Sequence, residues 1–568
     1  MFKKISSIKV FLLLVFLSLP SMVYLLIPGF YEPHDLHHFA DIYEMYRAFS
    51  SGQIPPRLGP DFIFGYGYPL FNFYYVLPFY LGSLFFAAFK SIQFSFELVF
   101  VVSIVISVFG MYLFLREFFG KFAAIVGAVL FLYTPYRAVQ IYVRGAMGEA
   151  LALSLLPFVL WSAVRLIKQP ERKVLLVNLS VIIAFFILSH NYFWIITIPW
   201  IFLLLAILVT GEKLKVAVRS FFLALLVALG LTSYWWLPAF IEQGLVSSVT
   251  PFPLIDHFPF IKQLITPSWG YGSSVWGSGD GMSFQIGVIN WLVFLILIGV
   301  ILLKRLFSNK QISKLAIWSI AGFLVSLFMM NIRSYPLWKI LPFHDFIQFP
   351  WRLLFLTTFF TSIMAAIVVE IAKKQDKLLG SLIILGSLIL TFNYFRPSEI
   401  FYKSDDEYLA RFFANRTLKD EKENVSSDYL QYSEDYLLLP EWVEGKPLKL
   451  PVNKFESLEV VIQDISEISP TRWFAKLNSD TGGTVTFNTI YFPGWFAEID
   501  GAKKEINIGE PYGQMEINVG AGNHEVLFYW AETPLRKFAD SISLLSLLTI
   551  GYLLWNDRPN RFQKKVNK

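Results

Sequence analysis

Long apolar runs alternate with short basic clusters along most of this chain, as in VFLLLVFLSLPSMVYLL (10–26) and NWLVFLILIGVILL (290–303). A helix of about 20 apolar residues is long enough to cross the hydrocarbon core of a bilayer. The pattern therefore predicts a polytopic α-helical membrane protein. Because no small-residue cleavage site follows the first run cleanly, we interpret it as an uncleaved signal anchor.

The basic clusters predict the topology, since Lys and Arg concentrate in the cytoplasmic loops of membrane proteins. If every cluster lies inside, the spans between them must come in pairs. Together with the first run and a span at 97–115, this predicts 12 transmembrane helices with both chain ends inside. The clusters are Lys3/Lys4/Lys9, Arg116/Lys121, Lys168/Arg172/Lys173, Lys213/Lys215/Arg219, Lys304/Arg305/Lys310/Lys314, Lys373/Lys374/Lys377 and the tail 558–568. The paired spans are 121–136 with 149–168, 173–190 with 192–210, 216–238 with 285–303, 314–331 with 352–372, and 378–394 with 537–555.

One apolar segment, 68–90, disturbs this parity, because a full crossing there would move every later basic cluster to the outside. It contains Pro69, Pro78 and many tyrosines, which suit a helix lying at the membrane interface. We therefore predict a first outer loop over 30–95 with juxtamembrane helices. An ordinary thirteenth span at 68–90 is the alternative.

Between residues 396 and 536 the pattern changes to short alternating runs such as TRWFAKLNS, TVTFNTIYF and HEVLFYW. These runs predict an antiparallel β-sandwich, and Asp500-Gly501 predicts a hairpin turn. The predicted division is a membrane domain over 1–395, an extracytoplasmic β domain over 396–536, and a last helix with a basic tail over 537–568. Trp495 and Trp530 could stack on sugars or pack in the β core.

Composition supports the membrane class and narrows the chemistry. The chain is 55% hydrophobic and only 16% charged, and its lack of cysteine excludes disulfides and thiolate catalysis. The common nucleotide, cofactor and hydrolase motifs are missing from the sequence. The predicted cytosolic loops are too short to bind a nucleotide sugar. An activated donor used at the outer face would have to be carried by lipid.

The predicted topology places all seven histidines on the outer side, and three of them lie in His34-Asp35-Leu36-His37-His38. Asp35 could act as a general base toward an acceptor hydroxyl. If a helix begins at Pro33, the side chains of His34, Asp35 and His38 share one face and could bind a divalent metal or orient a phosphate. A polar cap on a juxtamembrane helix is the alternative.

Four further residues at predicted outer helix ends are candidates for substrate binding. Glu149 opens a span, where a carboxylate is costly unless it faces a cavity or a partner, and Arg144 is a nearby ion-pair partner or phosphate ligand. His190 lies at a tight outer turn that needs polar residues in any case. Arg352, in FHDFIQFPWR with His344, Asp345 and Gln348, could hold a lipid phosphate as a bidentate donor or snorkel to lipid headgroups.

The segments HDLHHFADIYEMYRAFSSGQIPPRLGPDFIFGYGYPLFNFYYVLPFYLGSL, YTPYRAVQIYVRGAMGEALALSLLPFVL, LSHNYF and FIQFPWRLL resemble, in order, a bacterial and archaeal membrane protein family. That family is labelled 6-pyruvoyl-tetrahydropterin synthase-related. Its members are similar in layout to the GT-C superfamily of integral membrane glycosyltransferases. The resemblance implies a polyprenyl-phosphate sugar donor, inversion at the anomeric carbon, and Asp35 as catalytic residue. It places Glu149 where several members have a second acidic residue. This chain has His-Asp in place of a paired acidic motif, so we expect no cofactor and do not favour a metal.

The sequence thus predicts a plasma-membrane glycosyltransferase with its site and β domain on the extracytoplasmic side. Its expected partners are membrane lipids, a polyprenyl-phosphate-linked sugar, and a glycan, lipid or protein acceptor, with no nucleic acid. Asp35 is the predicted catalytic base, and His34, His38, Glu149, His190, Arg144 and Arg352 are the predicted substrate-binding residues. The alternative is a transporter, flippase or scaffold for lipid-linked envelope glycans, for which broken helices and internal repeats would be typical.

Overall fold

The structure is a computed structural model that describes residues 2–63, 65–247, 253–303, 309–341, 347–409, 412–413, 438–445, 447 and 451–557. Most of the chain before residue 400 is helical, as the apolar runs predict. The helices of ten residues or more are Phe2–Met22, His37–Ser50, Leu77–Phe89, Ile92–Leu115, Lys121–Leu132, Met147–Lys168, Lys173–Ser189, Phe193–Leu208, Glu212–Leu231, Ser233–Glu242, Val288–Leu302, Lys310–Met329, Leu354–Ile371, Asp376–Thr391 and Pro534–Asn556.

By length and composition, 8 helices in the described chain can cross a membrane, or up to 9 if a bent pair is one span. Three shorter apolar helices, Lys173–Ser189, Phe193–Leu208 and Val288–Leu302, coincide with three further predicted spans. Counting these three gives the predicted total of twelve, and counting a fourth shorter apolar helix, Leu77–Phe89, gives the thirteen of the alternative. The polytopic helical fold class is confirmed.

The helix Leu77–Phe89 covers the segment that disturbs the charge parity. Its 13 residues rise only about 20 Å, two thirds of a typical bilayer core. It packs against His37–Ser50 and Ile92–Leu115. Its length is consistent with a juxtamembrane helix, and the non-crossing position stays a prediction.

In the structure, loops predicted to be cytoplasmic contact one another, and so do loops predicted to lie outside. Loops with predicted cytoplasmic basic clusters contact one another, through Lys168 with Glu117 (2.5 Å), the Gly120 N–H with Glu370 (2.8 Å), the Lys173 N–H with Asp557 (3.2 Å) and Lys314 with the Ile207 carbonyl (2.9 Å). Loops predicted to lie outside contact one another at the opposite end, for example Phe30 with Phe401 and Asn72 with Glu242. The assignment of loops to two sides, predicted from charge, therefore agrees with which loops contact one another.

The C-terminal alternating runs form two antiparallel sheets. The nine strands are β1 Phe455–Glu456, β2 Val461–Ser469, β3 Arg472–Ser479, β4 Gly483–Ile490, β5 Trp495–Ile499, β6 Ala502–Lys504, β7 Asn507–Gly509, β8 Gln514–Val519 and β9 Gly522–Trp530. One sheet has the order β1-β4-β8-β7 and the other β2-β3-β9-β5-β6.

Alternate residues of both sheets are buried in one shared core, which is the arrangement of a β-sandwich. Asp500 and Gly501 have φ of +50° and +79° and pair Ile499 with Ala502, so the predicted Asp-Gly hairpin is confirmed. Trp495 is buried in this core, edge-on to Trp530 at 5.8 Å. The structure supports core packing for these tryptophans.

Two buried arginines join the β-sandwich and the last helix to the rest of the molecule. Arg57, in the first outer loop, forms ion pairs with Glu532 (3.1 Å) and Asp540 (3.0 Å). Arg536 forms an ion pair with Glu242 (3.0 Å), which also accepts a hydrogen bond from Asn72 (2.6 Å). These contacts hold the β-sandwich over the end of the helical region that carries the first outer loop.

Candidate functional site

Asp35 is held by backbone contacts to the segment that carries Arg144. The Asp35 N–H donates to the Arg144 carbonyl at 2.8 Å, and the His34 N–H donates to the Val143 carbonyl at 3.1 Å. These bonds keep residues 34 and 35 out of a helix, which begins at His37. If a helix began at Pro33, His34, Asp35 and His38 would share one face; the helix begins only at His37, so this arrangement does not form.

Arg144 ends a broken helical element. The helix Lys121–Leu132 is followed, after a bend of 49°, by Pro135–Arg144, whose last six residues are π-helical. Gly145 ends the turn with φ of +68°, and a Cβ there would lie 2.6 Å from Pro33. Both the backbone conformation and this close approach require glycine, and together they bring Arg144 beside Asp35.

Glu149 binds both candidate arginines. Its side chain is only 2% exposed, and its carboxylate oxygens lie 2.7 Å from Arg144 Nη1 and 2.8 Å from Arg352 Nε. The Tyr136 hydroxyl donates to the same carboxylate at 2.9 Å. The buried carboxylate is thus compensated by two guanidinium groups, and Arg144, Glu149 and Arg352 meet as one cluster.

Arg352 is fixed in this cluster and does not snorkel toward headgroups. It lies in a short 3₁₀ turn, Pro350–Leu353, and its Nη1 donates to the Ile347 carbonyl at 3.0 Å. Its guanidinium carbon lies 4.7 Å from the ring centre of Phe349, and that of Arg144 lies 4.9 Å from the ring centre of Trp351. An aromatic ring therefore lies against each of the two cations.

Asp35 is the exposed carboxylate of the cluster. Its side chain is 27% exposed, and it lies 3.6 Å from Arg144 Nη2, farther than Glu149 lies from the same arginine. Asp35 and Glu149 balance the charge of Arg144 and Arg352. The carboxylate with the looser contact is the one that reaches solvent.

His38 and His190 line the buried side of the site. His38 Nδ1 lies 3.1 Å from Asp41 Oδ2, and its Nε2 lies 3.1 Å from the Tyr75 hydroxyl. Burial, followed by the nearby charges of His37, Arg144 and His190, holds the pKa of His38 well below its usual range. His38 is therefore neutral at pH 7.

His190 is stacked between Tyr75 and Phe193, with ring centres 5.2 and 4.3 Å away. Its buried Nδ1 has no hydrogen-bond partner among the residues that the structure describes. A buried polar nitrogen without a partner is costly, so this atom is available to a ligand that enters the site. Burial also raises the pKa of the Tyr75 hydroxyl well above its usual range, and this group stays protonated.

His34 points to another part of the molecule. Its Nε2 lies 2.7 Å from the Tyr271 carbonyl. It therefore borders the cluster through its backbone, while its ring contacts the segment around residue 271. His344 and Asp345, which the sequence also suggested, lie outside the described residues.

Several residues of the site were not predicted from the sequence. Tyr136 and Trp351 contact the charged side chains, Tyr75 contacts His38, and His37 and Asp41 lie beside His38. In a chain that is 18% aromatic, no local pattern distinguishes these aromatic residues from those of the core. Asp41 could have been found from its position three residues after His38 and four after His37, on one face of a helix.

These features define a polytopic membrane protein that holds a buried two-arginine cluster and an exposed aspartate at the end of the helices nearest its β-sandwich. The chain belongs to the family described as 6-pyruvoyl-tetrahydropterin synthase related domain, membrane protein, whose model matches residues 71–397. The predicted family is confirmed. The matched region includes Arg144, Glu149, His190 and Arg352, and it begins after His34, Asp35 and His38.

The chain is also similar to solved glycosyltransferase structures. ArnT from Cupriavidus metallidurans in the apo state is 14% identical with a TM-score of 0.36, over 65% of this chain and 60% of ArnT. ArnT bound to undecaprenyl phosphate is 16% identical with a TM-score of 0.38, over 65% of this chain and 62% of ArnT. The arabinofuranosyltransferase AftD from Mycobacteria is 12% identical with a TM-score of 0.42, over 71% of this chain and 28% of AftD.

These TM-scores lie below 0.5, so we draw no functional argument from the similarity. Among curated proteins, an uncharacterised protein of Lactococcus lactis subsp. cremoris (strain MG1363) is 23% identical over 312 residues, or 53% of this chain. The chain spans about half the length of that relative.

Proposed function

We propose that this protein is an integral membrane glycosyltransferase of the GT-C type, which moves a sugar from a polyprenyl-phosphate donor to an acceptor hydroxyl. We place the reaction at the extracytoplasmic face of the plasma membrane, where the positive-inside pattern puts Asp35. Donor sugar and acceptor, a glycan, lipid or protein, are left open.

One observation carries the proposal: an exposed carboxylate lies next to two arginines that a buried carboxylate holds in place. Asp35 lies 3.6 Å from Arg144, and Glu149 joins Arg144 to Arg352 at 2.7 and 2.8 Å. An accessible base beside fixed cations is what transfer from a phosphate leaving group requires, because one bond breaks with negative charge on phosphate while an acceptor proton must be removed.

Asp35 accepts the proton of the acceptor hydroxyl while the oxygen of that hydroxyl bonds to the anomeric carbon of the sugar. The bond between that carbon and the phosphate oxygen breaks, and polyprenyl phosphate leaves with the electron pair. Arg144 and Arg352 stabilise its charge, and Arg144 exchanges its loose contact with Asp35 for the phosphate.

The remaining predicted residues have binding roles in this proposal. The free Nδ1 of His190 is placed to hydrogen-bond the donor. Neutral His38 supports the aromatic wall formed with Tyr75. His34 acts at the rim, through the segment that contains Tyr271. We propose no metal or other cofactor for the transfer step.

The test is sugar transfer by the purified full-length protein, incubated with undecaprenyl-phosphate-linked hexose and pentose donors and followed by mass spectrometry of the products. Asp35→Asn should lower the rate at least a hundredfold, as expected for loss of a general base, with unchanged membrane insertion. Glu32→Gln is the matched control, since Glu32 lies three residues away on the same segment and pairs with Lys403 at 2.5 Å. Full activity of Asp35→Asn contradicts the assignment.

A second candidate, a transporter or flippase for lipid-linked glycans, is favoured by the broken element Lys121–Arg144. Discontinuous helices whose ends point at a binding site are typical of transporters, and this one ends at Arg144. Proteoliposomes containing a fluorescent polyprenyl-phosphate sugar distinguish the two functions. Movement of the lipid between leaflets without new glycosidic product would support transport and contradict the transferase.

A further inference from the structure

We propose that His37, His38 and Asp41 form a binding site for a divalent first-row transition metal ion, of which Zn²⁺ is the representative. The ion takes no part in the transfer step, and the site does not depend on whether the protein is a glycosyltransferase. The proposed ion has a structural role: it fastens the start of the His37–Ser50 helix beside Asp35.

The ligand atoms already converge. The three residues each offer one atom, and these atoms all lie within 4.8 Å of one another, the only such group of histidine, cysteine and acidic side chains in the described part of the chain. Asp41 Oδ2 lies 3.1 Å from His38 Nδ1 and 3.9 Å from His37 Nε2. Two ligands of a tetrahedral Zn²⁺, each about 2.1 Å from the ion, lie about 3.4 Å apart. The observed separations bracket this value, so small side-chain rotations complete the site.

The helix explains why these three side chains meet. Asp41 lies three residues after His38 and four after His37, which places all three on adjacent positions of the first turns. Two imidazoles and one carboxylate form a ligand set typical of Zn²⁺ and other first-row metals, and softer or purely oxygen-liganded ions are less favoured.

The groups that hydrogen-bond to the proposed histidine ligands also suit a metal site. A histidine that ligates a metal through one ring nitrogen usually donates its other N–H to a fixed acceptor. With Nδ1 of His38 on the metal, its Nε2 lies 3.1 Å from the Tyr75 hydroxyl. The Tyr74 hydroxyl lies 3.5 Å from His37 Nε2. His37 is 24% exposed and Asp41 1%, so the ion would enter past His37 and rest against a buried carboxylate.

An ion at this position would affect the turn that carries Asp35. His38 N–H donates to the Asp35 carbonyl at 3.2 Å, and Tyr75 stacks on His190. A metal at His38 would therefore fix the turn that carries Asp35 against the aromatic wall of the site.

The experiment uses full-length protein purified with an affinity tag that contains no histidine, stripped with EDTA and titrated with Zn²⁺ against a fluorescent chelator. Co²⁺ substitution and its visible absorption report the ligand geometry. The wild type should bind one equivalent. His37→Ala and Asp41→Asn should each weaken binding at least tenfold, because losing even a residue that only hydrogen-bonds to a metal ligand weakens metal sites by about 10–100-fold.

The controls separate this site from other histidines. His524→Ala removes another histidine that pairs with an aspartate, Asp500, at 2.7 Å, and it should leave binding unchanged. His34→Ala tests the trio of His34, Asp35 and His38 and should also have no effect. Elution volume and tryptophan fluorescence check that each variant is folded.

A wild type that binds no Zn²⁺, or folded His37→Ala and Asp41→Asn variants that bind as the wild type does, would overturn the proposal. Loss of the ion in His34→Ala or His524→Ala alone would do the same. None of these readouts uses sugar transfer, so failure of the proposed function and failure of the metal site are distinguishable.

Discussion

Replacing Glu149 by glutamine tests whether one buried carboxylate holds the two arginines of the site. The amide keeps the size and one acceptor oxygen of the side chain but removes its charge. Glu149 is buried, with Arg144 at 2.7 Å and Arg352 at 2.8 Å. Two buried guanidinium groups would then face each other with only the loose contact of Asp35 to Arg144 as compensation.

The magnitude follows from these distances. At an effective dielectric constant of about 20, each of the two contacts contributes roughly 6 kcal/mol of gross attraction. The remaining amide oxygen, local rearrangement and water entry recover part of this. Removing one partner of a buried ion pair costs about 3–5 kcal/mol in measured cases, and we expect Glu149→Gln to fall in that range. Such a loss is a large share of the roughly 5–15 kcal/mol that stabilises typical proteins.

The assay is thermal unfolding of the detergent-solubilised protein, followed by tryptophan fluorescence and by the fraction that stays monodisperse after heating. Glu117→Gln is the matched control. Glu117 also contacts two cations, Lys168 at 2.5 Å and Arg165 at 3.7 Å, but their side chains are 48% and 40% exposed. Exposed pairs contribute about 0–1 kcal/mol, so this variant should unfold close to the wild type. Equal melting temperatures for Glu149→Gln and the wild type, or equal losses in both variants, would refute the reasoning.

Two further predictions concern other parts of the chain. Burial lowers the pKa of Lys454 to about 8, against about 10.4 in an unfolded chain, so between these values the unfolded state binds more protons and stability rises with pH. Between pH 7.5 and 9.5 the melting temperature of the wild type should therefore rise relative to that of Lys454→Met, and an unchanged difference would contradict this prediction. A Cβ on Gly148 would lie 2.5 Å from the Tyr75 ring, so Gly148→Ala should cost about 1–3 kcal/mol by overpacking. Gly299→Ala, where nothing lies within 4 Å, should unfold no earlier than the wild type.

The elements of the fold were predictable because each leaves a local pattern. Apolar runs marked the helices, alternation marked the strands, and Asp500-Gly501 marked a hairpin whose positive φ values the structure contains. The pairing of Arg144 with Glu149 was also predictable, since the two residues are five positions apart.

The rest depends on contacts that no local pattern carries. Arg352 meets Glu149 across 203 residues, and sequence spacing holds no information about that approach. A helix from Pro33 would have put His34, Asp35 and His38 on one face, but bonds from residues 34 and 35 to Val143 and Arg144 delay its start to His37. With this start of the helix, the His34 ring contacts the Tyr271 carbonyl, and His37 lies beside His38 and Asp41. Tertiary hydrogen bonds thus decided which histidines share the site.

The ion pairs of Arg57 have a consequence for biosynthesis. Its partners Glu532 and Asp540 are 475 and 483 residues further along the chain. At synthesis rates of about 5–20 residues per second, Arg57 waits roughly 24–95 s before those partners exist. Until the ribosome has made the final helix, Arg57 lacks both ion pairs, so the first outer loop reaches its final set of contacts only at the end of synthesis.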